Sequence, residues 1–240
     1  MCVIIIPARF GSTRFPGKPL VKINGREMIL NVYDRAKEVK NVKKVIVATD
    51  DKRIYNCVKS YGGEVEMTSS NIPSGTDRVW EVAKNLDYEI IVNLQGDEPF
   101  IKPEIIEKGI ELLKNNEKID ISTPMKKIKD NNEVNNPNVV KVVFNSKNIA
   151  IYFSRSPIPF YKDDNFEKKY FKHIGLYCFR KKSLNKFVNL PQSNLEKIEK
   201  LEQLRAIESG MKIKVYETDY ESIAIDTPSD LEKIKNLKVF

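Results

Sequence analysis

The stretch "CVIIIPARFGSTRFPGKPL", residues 2–20, opens with five apolar residues and continues into a loop rich in glycine and cations. An unbroken β-branched run of this kind suits a strand buried on both faces, the situation of a parallel sheet covered by helices. The pattern recurs downstream. "KVIVA" (44–48) and "EIIVNL" (89–94) read as further strands, and between them "MILNVYDRAKEV" and "RIYNCVKSY" carry apolar residues at three- and four-residue intervals. A succession of strand, helix and strand predicts a Rossmann-like α/β fold with a mostly parallel sheet flanked by helices. Ligands of such sheets bind beyond the carboxyl ends of the strands. Three loops fall there: the opening one, "TDD" at 49–51 and "QGDEP" at 95–99.

The middle of the chain differs. Residues about 124–180 show strand-like runs separated by Asn-rich turns, which predicts a smaller antiparallel or mixed insertion within a single domain spanning 1–240, with "KDNNEVNNPN" (129–138) as an exposed loop. Beyond it, "FKHIGLYCF" reads as one strand, "NLEKIEKLEQLRAIESG" as one helix closed by Gly210, and "KIKVYE" and "SIAI" as strands before a last helix.

Composition narrows the function class. In 240 residues, 41% are hydrophobic and 31% charged, as in ordinary folded proteins. No apolar run approaches the roughly 20 residues of a membrane span and no signal peptide is visible, so a cytoplasmic protein without membrane insertion is expected. Three cysteines, far apart and never in a C-x-x-C pair, suit reduced buried thiols. The net charge of +8 admits an anionic partner, including nucleic acid. Yet the lysines are interleaved with Glu and Asp along the chain, as solvated helix faces are, and no nucleic-acid partner is expected.

The opening loop lacks the G-x-x-x-x-G-K-[ST] spacing of a P-loop, because Lys18 is followed by Pro19, and no G-x-G-x-x-G follows the strand. What remains is a glycine-containing loop bearing Arg9, Ser12, Arg14 and Lys18. Arginine forks onto phosphate oxygens and lysine supplies a mobile charge, so the loop suits a polyphosphate; a merely solvated basic loop has the same composition.

"IIIPARFGSTRFPGKPL" resembles the signature of sugar-activating nucleotidyltransferases. "IPSGTDRVWEVA", "VNLQGDEPFI", "YFSRSPIPF", "HIGLYCFR", "LEQLR" and "AIDTPSDL" are similar to the successive motifs of the 3-deoxy-manno-octulosonate (KDO) cytidylyltransferase family, in the family's order from residue 3 to about 231. The resemblance implies transfer of CMP from CTP to KDO with release of pyrophosphate, assisted by Mg²⁺, for lipopolysaccharide biosynthesis. It implies CTP and KDO as substrates and a homodimer formed through the insertion. It makes Asp97 and Asp226 metal ligands and, with Lys18, the catalytic set. Ala8, Arg9, Ser12, Arg14, Lys18, Ser74, Gly75 and Arg78 become nucleotide-binding residues, and Gln95, Arg155, His173, Tyr177, Glu202 and Gln203 sugar-binding ones.

Several of these residues have structural readings as well. Ser74 and Asp77 form an S-x-x-D capping box, Thr227 and Asp230 another, and Asp97 could be an ordinary turn residue. His173 and Tyr177, four apart on one expected strand, would share a face, and a lone histidine is often structural. Glu202 and Gln203 suit a solvated helix face. The rival readings are a cytidylyltransferase for another acidic sugar or for methylerythritol phosphate and, in a different class, a basic nucleic-acid-binding protein.

Overall fold

The computed structural model describes residues 1–11, 15–225 and 227–235, and the chain divides into two compact units, residues 1–107 with 222 onward, and residues 108–221. In the first, β1 (Cys2–Ala8) is followed by a short hairpin of β2 (Lys22–Ile23) and β3 (Arg26–Glu27) and by α1 (Met28–Lys37). Then come β4 (Lys44–Thr49), α2 (Lys52–Ser60), β5 (Glu64–Met67), α3 (Gly75–Ala83) and β6 (Ile90–Asn93). The strands of this unit stand in the order β5-β4-β1-β6, every pair parallel, with Ile5 opposite both Ile46 and Asn93. Cys2 to Ile6 are wholly buried, as the uninterrupted apolar run requires.

Helix boundaries follow capping chemistry. Asp51 caps α2 by accepting the Arg53 N–H, and Ser74 caps α3 by accepting the Asp77 N–H at 3.1 Å. Both caps lie in loops beyond strand ends. Helix α4 (Pro103–Lys114) carries the chain from the first unit into the second.

The second unit is built on β7 (Ile121–Lys127), followed by α5 (Asn131–Asn135), β8 (Lys141–Phe144), β9 (Ala150–Ser154), β10 (Phe171–His173) and β11 (Tyr177–Arg180). Helices α6 (Lys181–Val188), α7 (Asn194–Glu199) and α8 (Gln203–Glu208) precede β12 (Ile213–Glu217), and α9 (Pro228–Lys235) belongs to the first unit. One edge of β7 pairs in parallel with β12, the other antiparallel with β11 and β10, and β8 and β9 continue the sheet beyond β10. The parallel strands of the first unit and the mixed strands of the second, flanked by helices, thus realise the expected α/β class.

Four expectations of local structure are corrected. "FKHIGLYCF" is two strands: His173 faces Met125 and Cys178 faces Ser122, so four residues on one side span two on the other. Pro124 lies opposite the interruption and has no N–H to give to a ladder. "NLEKIEKLEQLRAIESG" is two helices, broken at Lys200, which adopts φ 53°. "KDNNEVNNPN" contains the short helix α5, whose Val134 is buried. "SIAI" forms no strand; Ile225 donates its N–H to the Asp97 carbonyl at 3.1 Å.

Candidate functional site

The first unit contains a cleft of about 410 Å³ at the carboxyl ends of β1 and β6. Ala8 lines it from the end of β1, Arg9 and Lys18 from the opening loop, Ser74, Gly75 and Arg78 from the start of α3, and Gln95 and Asp97 from the turn after β6. These eight residues come from three segments distant in sequence, and all belong to the expected site. Ser12, Arg14 and Asp226, also expected there, lie outside the described residues.

Each wall has a local cause. Gly96 permits the β6 turn to approach β1, since a Cβ there would stand 3.1 Å from the Pro7 carbonyl oxygen. The two ends of the opening loop are joined by a hydrogen bond from the Gly17 N–H to the Phe10 carbonyl at 3.0 Å, with Gly17 at φ 71°, a conformation that favours glycine. Lys18 follows at once, and its ammonium lies 2.8 Å from Asp97 Oδ2, the two side chains 16% and 25% exposed. Glu98, beside Asp97, is buried and accepts a hydrogen bond from the Ser222 hydroxyl.

Arg78 sits differently from a side chain reaching into solvent. It is 3% exposed and pairs with Asp50 at 2.9 Å while donating to the Thr68 hydroxyl and the Ser69 carbonyl. Asp50 also accepts the Phe10 N–H at 3.4 Å. Gln95 is oriented by a polar relay: its Nε2 donates to Asn93 Oδ1 at 3.0 Å, and Asn93 Nδ2 donates to the Thr76 hydroxyl at 3.1 Å. Sequence reading had singled out neither Asn93 nor Thr76. A polar residue ending an otherwise apolar strand was the available signal for Asn93, which is wholly buried.

The remaining expected residues, Arg155, His173, Tyr177, Glu202 and Gln203, belong to the second unit. His173 and Tyr177 come together across the interruption between β10 and β11, ring centroids 5.3 Å apart, and Phe153 packs edge-on against His173 at 5.1 Å. The Thr123 hydroxyl donates to the Leu176 carbonyl at 2.7 Å and lies 2.8 Å from His173 Nε2. A hydroxyl has one proton, so Nε2 carries the imidazole proton and Nδ1 is the acceptor. Burial pushes the His173 pKa down to about 3, and the ring is neutral at ordinary pH. Burial, and then the Glu202 carboxylate, push the Tyr177 phenol well above its usual range.

Gln203 is buried instead of lying on a solvated helix face. Arg155 turns its guanidinium to the main chain. Its guanidinium donates to the carbonyls of Glu199 at 2.7 Å, Pro137 at 2.8 Å and Lys200 at 3.4 Å, gathering three main-chain carbonyls. The wholly buried Lys141 does the same for Asn136, Val139 and Arg155 itself. Among the described residues, no group of three or more His, Cys, Asp or Glu side chains gathers as a metal site, and no helix is long and apolar enough to cross a membrane.

Comparison with known proteins adds to this geometry. Residues 3–213 match the family model described as cytidylyltransferase. The chain is 51% identical to a 3-deoxy-manno-octulosonate cytidylyltransferase of Thermodesulfovibrio yellowstonii, covering 96% of this chain and 95% of that one. It is 48% identical to the protein of that name in Geobacter sulfurreducens, covering 96% of each. Among solved structures it superposes on a CMP:2-keto-3-deoxy-manno-octonic acid synthetase complexed with CTP, with TM-score 0.93 and 42% identity over 98% of this chain and 96% of that one. A 4-diphosphocytidyl-2C-methyl-D-erythritol synthase of Anaerococcus prevotii, at 19% identity and TM-score 0.64 over 97% of this chain and 95% of that one, shares the fold.

Proposed function

The chain belongs to the 3-deoxy-manno-octulosonate cytidylyltransferase family, and we propose that it transfers CMP from CTP to KDO in the cytoplasm, releasing pyrophosphate and supplying an activated sugar for lipopolysaccharide assembly. The observation that carries this reading is the cleft's joining of Lys18 and Asp97, an ammonium and a carboxylate 2.8 Å apart at the strand ends. Attack of the anomeric hydroxyl on the α-phosphorus forms one P–O bond as the bond to pyrophosphate breaks. Such a transfer asks the protein mainly for positioning and charge neutralisation.

Lys18 is assigned to offset charge developing at the α-phosphate and on the leaving pyrophosphate. Arg9, Ser12 and Arg14 are assigned to the remaining phosphate oxygens. Ala8, Ser74 and Gly75 offer main-chain and hydroxyl groups to the nucleoside, and Arg78 lends its wall of the cleft rigidity through Asp50. Asp97 and Asp226 would hold Mg²⁺. The donor chemistry fits, because the Asp97 carboxylate already faces a cation at the cleft and hard cations accept one or two carboxylates with phosphate and water completing the shell. When bound, the ion would neutralise phosphate charge and align the reacting oxygens.

Gln95, His173, Tyr177, Glu202 and Gln203 are assigned to the acceptor sugar, with His173 Nδ1 accepting from a hydroxyl. Arg155 is assigned to the same region, where its three carbonyl contacts make it an organiser of the loops that carry the other groups. Pairing of two copies is assigned to the second unit, in which Ile151, Phe160, Phe166 and Ile198 are large apolar side chains left exposed. Sedimentation as a monomer at micromolar concentration would remove that assignment.

The reaction is tested by pyrophosphate release from CTP and Mg²⁺ with KDO, a sialic acid, methylerythritol phosphate or no acceptor. Release with KDO alone is expected. Turnover only with another acceptor would replace the sugar assignment, and silence with all three would overturn the proposal.

A further inference from the structure

Phe10, Asp51 and Arg53 carry none of the roles assigned above, yet they meet at the base of the opening loop. The Arg53 guanidinium lies over the Phe10 ring, 3.3 Å from its centroid. It is held there by Asp51, which accepts from Arg53 Nε at 2.9 Å and from a terminal nitrogen at 2.7 Å. Asp51 is itself fixed as the cap of α2. A Cβ at Gly17 would stand 3.1 Å from a Phe10 ring carbon, so the glycine lies directly against the ring. The Phe10 main chain is tied at both ends, its N–H to Asp50 and its carbonyl to the Gly17 N–H.

Two sequence neighbours make this arrangement consequential. Arg9 directly precedes Phe10 and Lys18 directly follows Gly17, and both line the cleft. Whatever fixes Phe10 against Gly17 therefore fixes the spacing of two cations meant for the same polyphosphate. We propose that Arg53, held by Asp51, is a positioning residue that clamps Phe10 and sets the opening loop's grip on a nucleoside triphosphate. The inference rests on the cleft being the nucleotide site. Arg53 is 61% exposed at its side chain. Its guanidinium matters as a flat, forked cation, a shape that lysine cannot reproduce.

The test is calorimetric titration of the intact chain with CTP, alongside thermal melting and the KM for KDO. Arg53→Ala is expected to weaken CTP by about two- to fivefold, the range of an exposed cation–π contact, with the KM for KDO unchanged. Arg53→Lys should behave like the alanine variant. Phe10→Tyr, which keeps the ring, should bind as the unaltered chain does, and adding Arg53→Ala to Phe10→Leu should cost nothing further. Unchanged CTP affinity in Arg53→Ala would overturn the clamp, as would an equal loss for CTP and KDO accompanied by a lowered melting temperature. No CTP binding by the unaltered chain would instead overturn the nucleotide reading beneath it.

Discussion

Lys18→Met removes one charge from the cleft and should move two measurements in opposite directions. At 2.8 Å and an effective dielectric constant of about 20, the Lys18–Asp97 attraction is about 6 kcal/mol before desolvation and side-chain ordering are subtracted. The net worth of a partly exposed pair is far smaller, about 1 kcal/mol, so the fold should survive with a melting temperature within about 4 °C. Catalysis loses more, because a preorganised donor facing transition-state charge is worth on the order of 10²–10³ in turnover. In the ligand-free chain, however, the ammonium occupies the carboxylate assigned to the metal. Without it, Mn²⁺ titrated calorimetrically in the absence of CTP should bind about fivefold more tightly, the equivalent of about 1 kcal/mol. Pyrophosphate release within threefold of the unaltered chain would refute the transition-state role. Unchanged or weaker Mn²⁺ binding would refute the competition between ammonium and metal for Asp97.

Two further outcomes follow from the second unit. The His173 pKa is about 3 when folded against an ordinary value of about 6.5 unfolded, so below pH 6.5 the unfolded chain binds a proton that the folded one refuses. Its contribution is complete above pH 6.5 and lost progressively down to pH 3, reaching at most about 2 kcal/mol at pH 5. Urea unfolding at pH 5 and 7.5 should accordingly show a smaller pH dependence in His173→Gln, and identical slopes would dismiss the linkage. Arg155→Gln should lower stability by about 2–3 kcal/mol by releasing the Glu199 and Pro137 carbonyls, read as a fall in denaturant midpoint at constant slope. A raised KM for KDO with unchanged stability would instead make Arg155 a direct contact of the sugar.

The parts of the fold visible in sequence are those decided locally. Burial on both faces makes "CVIII" apolar at every position, and the Ser74 and Asp51 caps act within three residues of themselves. The parts that were not visible are decided across the chain. The periodicity of "NLEKIEKLEQLR" runs unbroken, but Glu199 and Lys200 turn their carbonyls to Arg155, some 45 residues earlier, and the helix breaks there. The interruption in "FKHIGLYCF" answers to Pro124 on the neighbouring strand. In both places a partner distant in sequence outweighs a local preference.

The cleft divides in the same way. Lys18 and Asp97 sit in loops that the strand pattern alone places beyond strand ends, whereas Ser74 and Gly75, which read locally as a helix cap and its neighbour, entered only through the family resemblance. Asp50 and Asp51 fall in a third such loop, but their partners were hidden, and Arg53, Asn93 and Thr76 were not visible at all, because each matters through a partner in another loop or element, or through what that partner touches. Their geometry has a common form. Three cations near the strand ends, Lys18, Arg78 and Arg53, are each held by a carboxylate from the turn after β6 or after β4: Asp97, Asp50 and Asp51. Positive charge is thereby concentrated at the cleft without the mutual repulsion that bare cations would impose on the folded chain. Of the three pairs, Arg78–Asp50 is buried and Arg53–Asp51 is forked, and both also hold the opening loop through Phe10. Lys18–Asp97 lines the cleft itself. On the proposed function, it is the pair whose members an incoming polyphosphate and its cation would separate, each taking the partner of opposite charge, while the other two keep the loop in place.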